Sequence, residues 1–533
     1  MINVNQIGYL PESQKKAVIT QKSDFFELKN LNGDVVYKAF LKYKNFDKSS
    51  GDEIYIADFS DFQKEGTYYL TAGDEKSVNF EIKKNIYKNV KNAMIKMLYL
   101  QRCGCELPEK YAGPYKHDQC HTDYAALWRT QDFNLDVTGG WHDAGDYGRY
   151  VLPAATTLGH LFYAYELFPD AFNERINIPE SNDKIPDLLT ECIYELKWML
   201  KMQNQNGAVH NKVTTASFPA MIMPEKDKDK LYVVQIDSSS TASFSAIMAA
   251  ASRIYKSYDK DFSKQMLQAS KKAWQWLMEN PKNIRYNNPE GVITGVYGDN
   301  NDKDERFWAA VELWRATGEN EFNNYIEQNY KKDYNTTSLG WSDNGGFASL
   351  SYILNKDFTK NNEIVIDMQS EFIEKANNLM NTALSDGYNV TLGYNDYNWG
   401  SNMGLMNNAI TLILAYIFTK NEQYHQIAAE QLNYLLGKNA MSVSYVTGFG
   451  ERAYNYPHHR PSHDDGIEAA VPGMVSGGPN SRKQDEYMKK HVTENTPPAK
   501  CFMDNVNSYS SNEITIYWNS PAIFVAAFFD SFQ

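Results

Sequence analysis

Val78-Asn79-Phe80-Glu81-Ile82-Lys83-Lys84-Asn85-Ile86-Tyr87-Lys88-Asn89-Val90-Lys91-Asn92-Ala93-Met94-Ile95-Lys96-Met97-Leu98 changes character half-way. Through Ile82 it reads as a short strand; from Tyr87 the apolar residues Tyr87, Val90, Met94 and Met97-Leu98 fall at helical spacing. Upstream lie further β-like runs, Ala17-Val18-Ile19-Thr20, Phe25-Phe26-Glu27-Leu28, Val35-Val36-Tyr37, Glu53-Ile54-Tyr55-Ile56-Ala57 and Thr67-Tyr68-Tyr69-Leu70, broken by turn formers such as Asn32-Gly33-Asp34. A β-sandwich is expected for residues 1–84. Downstream, helix candidates cover 152–167, 184–204, 240–257, 261–279, 304–317, 343–354, 365–382, 405–419, 421–436 and 520–532. So many helices with polar connections suggest paired helices wrapped into a barrel or toroid over residues 85–533, with chemistry on the loops. The stretch Ser462–Lys500 is too long for an idle connection and is expected to wall the site.

A chain of 533 residues with 42% hydrophobic and 22% charged residues is expected to fold into more than a small module. Its formal charge of -13 disfavours nucleic acid and anionic membrane as partners, since phosphate recognition needs a basic stripe. No apolar run is long enough to span a bilayer, and Met1–Leu10 has no secretory pattern. A cytoplasmic monomer is therefore expected, or a secreted one if a leader was trimmed. The five cysteines are odd in number and partly clustered, which reads as metal ligation with spare thiols and not as a disulfide scaffold.

The acids suggest chemistry. Asp143 and Asp146, in Gly139-Gly140-Trp141-His142-Asp143-Ala144-Gly145-Asp146, are spaced so that a compact turn sets both carboxylates on one side, where they can hold a water. Alone, Asp-x-Gly-Asp reads equally as a calcium loop or a cap. Near the C-terminus, Asp504 and Glu513 lie among Tyr509, Tyr517 and Trp518. Apolar neighbours favour a protonated Glu513, as a general acid requires, while the plain alternative is a surface glutamate. Acetal cleavage needs such a base and acid, so glycoside hydrolysis is implied. Between them His458-His459-Arg460 follows a Pro-terminated loop; His458 and Arg460 suit sugar hydroxyls, and a zinc site is disfavoured because adjacent extended residues point apart. Trp399 and Trp518 are the sugar-platform candidates among the tryptophans.

Cys103, Cys120, His121 and His142 offer two thiolates and two imidazoles, a set suited to structural zinc; Cys105 is an alternative to Cys103, and free buried cysteines are the competing account. Because His142 precedes Asp143, zinc there would brace the loop that presents the base. The loop Tyr297–Glu305 is rich in hard oxygen ligands, which fits calcium or an acid-capped helix start.

These segments resemble the signature regions of glycoside hydrolase family 9, the inverting cellulases, over nearly the whole chain, including an immunoglobulin-like domain opening Asn5-Gln6-Ile7-Gly8-Tyr9. Ser444–Arg460 and Phe502–Ser520 fit the family patterns at every fixed position. The resemblance implies a mainly α fold, an (α/α)6 barrel preceded by a small all-β immunoglobulin-like sandwich. It implies Asp146 as base, Asp143 as its partner, Glu513 as acid, His458 and Arg460 at the subsite beside the scissile bond, and Asp504 supporting the C-terminal loop. It places zinc on Cys103, Cys120, His121 and His142, and calcium on Asp304, Glu305 and Asp343 with backbone oxygens from Asp299 to Asn301, Asp299 itself being a candidate ligand. The expected substrate is a β-1,4-linked oligosaccharide or polysaccharide, with base and acid roughly 6.5–9.5 Å apart. An exo-acting β-glucosidase or β-glucosaminidase on imported oligosaccharides is an alternative, and so, in another class, is a non-catalytic oligosaccharide-binding protein.

Overall fold

The structure is a computed structural model that describes residues 1–128, 134–182, 184–355 and 362–531. Two compact units are present, Met1–Met97 with Ile373–Gln533, and Leu98–Phe372.

The first unit begins with strands β1 (Ile2–Asn3), β2 (Gly8–Tyr9), β3 (Lys16–Ile19), β4 (Phe25–Asn30), β5 (Val35–Phe40), β6 (Lys42–Asp47), β7 (Asp52–Asp58), β8 (Gly66–Ala72), β9 (Glu75–Lys76) and β10 (Phe80–Ile82). One sheet runs β1-β3-β7-β6, the other β2-β10-β8-β4-β5 with β9 on β8. Alternation decides which side chains enter the core: Tyr68, Leu70 and Ala72 point in along β8, joining Phe26, Leu28, Phe59 and Phe80. Strand β6 gave no clear sequence signal. It is an edge strand whose register shifts between Tyr43 and Asn45, so its period is interrupted and Tyr43 and Phe46 face solvent. Asn5 and Gln6, from the Asn-Gln-Ile-Gly-Tyr opening, leave the sandwich to bond later parts of this unit: Asn5 Nδ2 donates to Asn433 Oδ1 at 2.9 Å, and Gln6 Oε1 accepts from the Arg452 N–H at 2.8 Å.

Helical spacing is realised as expected, with shifted ends. In the first unit Ser401–Thr419 packs on Glu422–Leu435 and on Ile516–Ser531. Ile516–Ser531 is buried from Ile516 to Asp530, as a helix apolar all round must be. It starts a turn before the expected 520, because the Thr515 hydroxyl caps it by accepting from the Trp518 N–H at 3.1 Å; residue 532 of the expected span lies outside the described residues.

In the second unit mostly buried helices alternate with amphipathic ones. Val151–Leu167, Ser238–Ile254, Lys303–Thr317 and Gly345–Leu354 are mostly buried, while Asp187–Lys201, Lys260–Glu279 and Asn320–Asn329 each keep a polar face. Ser238–Ile254, rich in Ser and Ala, admits Val151–Leu167, Lys260–Glu279 and Lys303–Thr317 against it. The Asn320–Asn329 helix was not expected; only Phe322 and Ile326 are buried in it, too few for a readable stripe. No described helix is long and apolar enough to cross a membrane.

Candidate active site

In the second unit the Gly139–Gly148 loop carries the paired aspartates. Gly139 and Gly140 take φ of +101° and +80°, and a Cβ on Gly140 would sit 2.7 Å from the Trp198 ring, so glycine is required there. The loop is then clamped. Its Trp141 N–H donates to Glu195 Oε2 at 2.6 Å, the Trp141 indole donates to Glu191 Oε1 at 2.9 Å, and the His142 N–H donates to the Gln101 carbonyl at 2.7 Å. Asp143 closes the turn through its N–H to the Gly148 carbonyl at 2.9 Å.

Both carboxylates are buried, Asp143 at 2% and Asp146 at 8% exposure. Asp143 Oδ2 accepts from the Tyr297 hydroxyl at 2.8 Å, and its Oδ1 has no hydrogen-bond partner. Asp146 Oδ1 accepts from the Gly148 N–H at 2.6 Å. Burial, with the neighbouring Asp146, holds the Asp143 carboxyl above its ordinary range against the Tyr297 hydrogen bond. Directly after the loop, Arg149–Tyr150 pairs with Lys212–Thr214, bringing Tyr150 opposite Lys212. Lys212 is wholly buried, and its ammonium donates to Asn288 Oδ1 at 2.8 Å, Thr294 Oγ1 at 3.0 Å and the Gly295 carbonyl at 2.6 Å.

Cys103, Cys120, His121 and His142 each bring a ligand atom to within 4.8 Å of the others. Cys105 is not in this group. His121 Nε2 is engaged by Asp227 Oδ2 at 3.2 Å, whereas His121 Nδ1 and His142 Nε2 are buried with no hydrogen-bond partner. Burial alone would push the Cys103 thiol up, but Cys120, Arg149 and the two imidazoles bring it well below its ordinary value, toward the thiolate that a metal requires.

The acids of the other metal candidate are less tightly convergent. Both Glu305 carboxylate oxygens and Asp299 Oδ2 are buried without hydrogen-bond partners, and Asp304 Oδ2 accepts from the Asn344 N–H at 2.7 Å. Burial, then the charges of Asp343 and Asp299, pushes Asp304 up to about 7, and Glu305 is raised well above its ordinary value by burial and by Asp304. Asp343 is half-buried.

In the first unit the C-terminal motif is held mainly by amides and backbone groups, with the buried Asp485 carboxylate accepting from the Ser510 N–H at 3.0 Å. Asn512 Nδ2 donates to the Tyr456 carbonyl at 2.6 Å and the Asn505 carbonyl at 2.8 Å, and Asn512 Oδ1 accepts from the His458 N–H at 3.3 Å. His458 Nδ1 donates to the Val506 carbonyl at 2.6 Å, which fixes the orientation of the ring. His459 serves another element: its Nδ1 accepts from the Ser462 N–H at 3.3 Å and caps the short helix that starts at Arg460. The two imidazoles therefore do different jobs. Asp504 spends its oxygens on the Asn455 and Tyr456 N–H groups, both at 2.8 Å, so it braces the loop before His458.

Glu513 is half-buried, two residues before the Thr515 cap, with its carbonyl accepting the Gly477 N–H at 2.9 Å. Part of the expected wall, Gly477-Gly478, thus pairs with this motif. Trp518 is 3% exposed, and a Cβ on Gly477 would lie 2.9 Å from its ring. It is a packed wall in place of the open platform expected. Trp399 is 39% exposed, its ring 5.5 Å from that of Tyr509, which is 5.6 Å from His458.

Residues 87–526 match the profile of Glycosyl hydrolase family 9, and residues 1–77 that of the Cellulase N-terminal ig-like domain. This chain belongs to glycosyl hydrolase family 9. It is 37% identical to a cellodextrinase of Butyrivibrio fibrisolvens across 98% of both chains, and 36% identical to endoglucanase D of Acetivibrio thermocellus across 100% of this chain and 84% of that one. A variant of a thermostable endoglucanase from Alicyclobacillus acidocaldarius superposes with a TM-score of 0.93 at 34% identity, covering 99% of each chain. The family 9 chain is a glycoside hydrolase whose fold is the (α/α)6 barrel preceded by an all-β immunoglobulin-like domain.

Several residues of this family 9 chain escaped the sequence reading. Tyr297 stands at the head of the loop read for calcium, but nothing in its spacing ties it to Asp143, 154 positions away. Asp227 and Lys212 lie in segments without a motif. Asn512 sits beside Glu513 and is legible only as a polar neighbour.

Proposed function

We propose that the chain hydrolyses β-1,4-linked glucans and cello-oligosaccharides by single displacement with inversion. The observation that carries this is the buried Asp143/Asp146 pair, in which each carboxylate has one oxygen pinned, by Tyr297 and by the Gly148 N–H. Pinned carboxylates on one tight loop suit a water held between them. Asp146 takes the proton as that water attacks the anomeric carbon, and Asp143 orients it. Glu513 protonates the leaving oxygen, and His458 and Arg460 hold hydroxyls of the sugar beside the bond. Support for Glu513 comes from its anchored backbone and from family membership. NMR of fresh product should show the α-anomer from a β-linked substrate; initial release of the β-anomer would overturn the scheme.

Likeness to a cellodextrinase along nearly its full length favours soluble oligosaccharides over polymer. Rates on cellohexaose and on insoluble cellulose, compared at equal mass, distinguish the two.

We also propose that Cys103, Cys120, His121 and His142 hold zinc, which their convergence and the two unpartnered imidazole nitrogens fit. Bound there, it would supply rigidity to the loop carrying Asp143 and Asp146. Asp299, Asp304, Glu305 and Asp343 are proposed for calcium, on the buried unpartnered oxygens of Glu305 and Asp299. Both metals would be structural.

A further inference from the structure

We propose that Lys212 is a positioning residue for the hydrolysis, a buried ammonium that locks the Asn288–Gly295 segment beside Tyr150 and lends positive charge to Asp146; this rests on the assignment of Asp146 as base above. Fully buried lysines ordinarily pair with a carboxylate. Lys212 is wholly buried, yet its three N–H groups go to neutral oxygens of Asn288, Thr294 and Gly295, and among the described residues no carboxylate bonds it. Three matched acceptors suit the charged form, since a neutral amine has one N–H fewer to offer. As a rivet alone, an apolar chain of the same length would cost less to bury. What the charge adds is a field, and the carboxylate placed to feel it is Asp146.

Geometry leads from Lys212 to both aspartates. Its ammonium lies 5.3 Å from the centre of the Tyr150 ring and 5.4 Å from that of Tyr286, within reach of cation–π attraction. A Cβ on Gly295 would lie 3.1 Å from the Tyr150 hydroxyl, so the locked segment and the ring are in close contact. The Tyr150 ring in turn stands 4.8 Å from that of Tyr297, whose hydroxyl holds Asp143. On its other side a Cβ on Gly148 would meet the Tyr150 ring at 2.7 Å and Asp146 Oδ1 at 2.9 Å. Ring and carboxylate therefore border the same small space. Burial lowers the Lys212 ammonium, and the charge of Asp146 opposes that shift. Attraction between two charges acts on both, so the ammonium favours an ionised Asp146. The other titratable groups around Lys212 are the Tyr150 and Tyr286 hydroxyls, with Glu290 of the locked segment exposed; Asp146 also faces Asp143 and Tyr150.

The test is the pH profile of kcat/KM on cellopentaose for wild type, Lys212→Met and Asn288→Asp, with Tm as the check of folding. Lys212→Met removes the charge on a chain of similar length, whereas Asn288→Asp keeps the oxygen that Lys212 bonds and cancels the charge. The acid limb of the profile follows the ionised base, and Lys212, lowered only to about 7, carries its charge below that. In both variants the limb should move up by about one pH unit, so that kcat/KM well below it falls about tenfold. A limb at its wild-type position, even with activity reduced equally at every pH, would overturn the role of the charge and leave the base assignment standing. Should Lys212→Met not fold, Asn288→Asp decides. Near-normal turnover in Asp146→Asn would overturn both.

Discussion

The loop bearing Asp143 and Asp146 and the segment bearing Glu513 are stabilised by different chemistry. The first is gripped by buried ionisable groups, Glu191, Glu195 and Arg149, and adjoins a buried Cys/His cluster proposed for a metal. The second is gripped chiefly by amides, hydroxyls and backbone pairs, Asn512, Thr515 and the Gly477 N–H, with two carboxylates, Asp485 and Asp504, spent on backbone N–H groups and, among the described residues, no metal cluster beside it. Buried charges respond to protonation and metal loss, whereas neutral hydrogen bonds do not. Two loops proposed for one reaction should therefore fail under different conditions.

The largest effect is common to both. Asp146→Asn and Glu513→Gln should each lower kcat on cello-oligosaccharides by roughly 10²–10⁴-fold, with the thermal transition nearly unmoved. Near-normal turnover in Glu513→Gln would remove one side of the comparison altogether. Next comes the metal. Stripping zinc with a chelator should lower Tm, and Asp227→Asn, which weakens the hold on His121, should cost about 10–100-fold in zinc affinity by chelator competition. Purified protein that carries no zinc and is indifferent to chelator would erase the asymmetry.

On the other side, Asn512→Ala strips partners from two carbonyls and should cost about 1–3 kcal/mol by denaturant unfolding, equally with and without chelator. A chelator-dependent loss would show that the two loops share one support. The last effect concerns pH. Burial lowers the Lys212 ammonium to about 7, against ~10.4 for an ordinary lysine. Between those values the unfolded chain binds more protons, so the cost of burying this charge is complete below pH 7 and eases as pH rises toward 10. Tm measured across that range should gain less with pH in Lys212→Met than in wild type.

Periodicity made the strands and most helices legible, because side-chain direction repeats along each element. The exceptions have local causes: a register shift and exposed aromatics hid β6, and two buried residues were too few to announce Asn320–Asn329. In the candidate site, residue types with reactive or ligating groups stood out, so Asp143, Asp146, Glu513 and the Cys/His set were named from the chain. Their holders were not. Trp518 illustrates the limit, since a tryptophan suited to stacking on sugar is equally suited to packing between glycines.

Read alone, the chain discloses its alternating and helical segments, its acids and its candidate metal ligands, since each depends on residue type and short-range spacing. Folding alone settles that Tyr297 anchors Asp143, that Asp227 engages His121, and that Trp518 is packed while Trp399 is partly exposed. Those outcomes depend on which distant side chains meet, and no local repeat along the backbone encodes a contact made across a hundred or more residues.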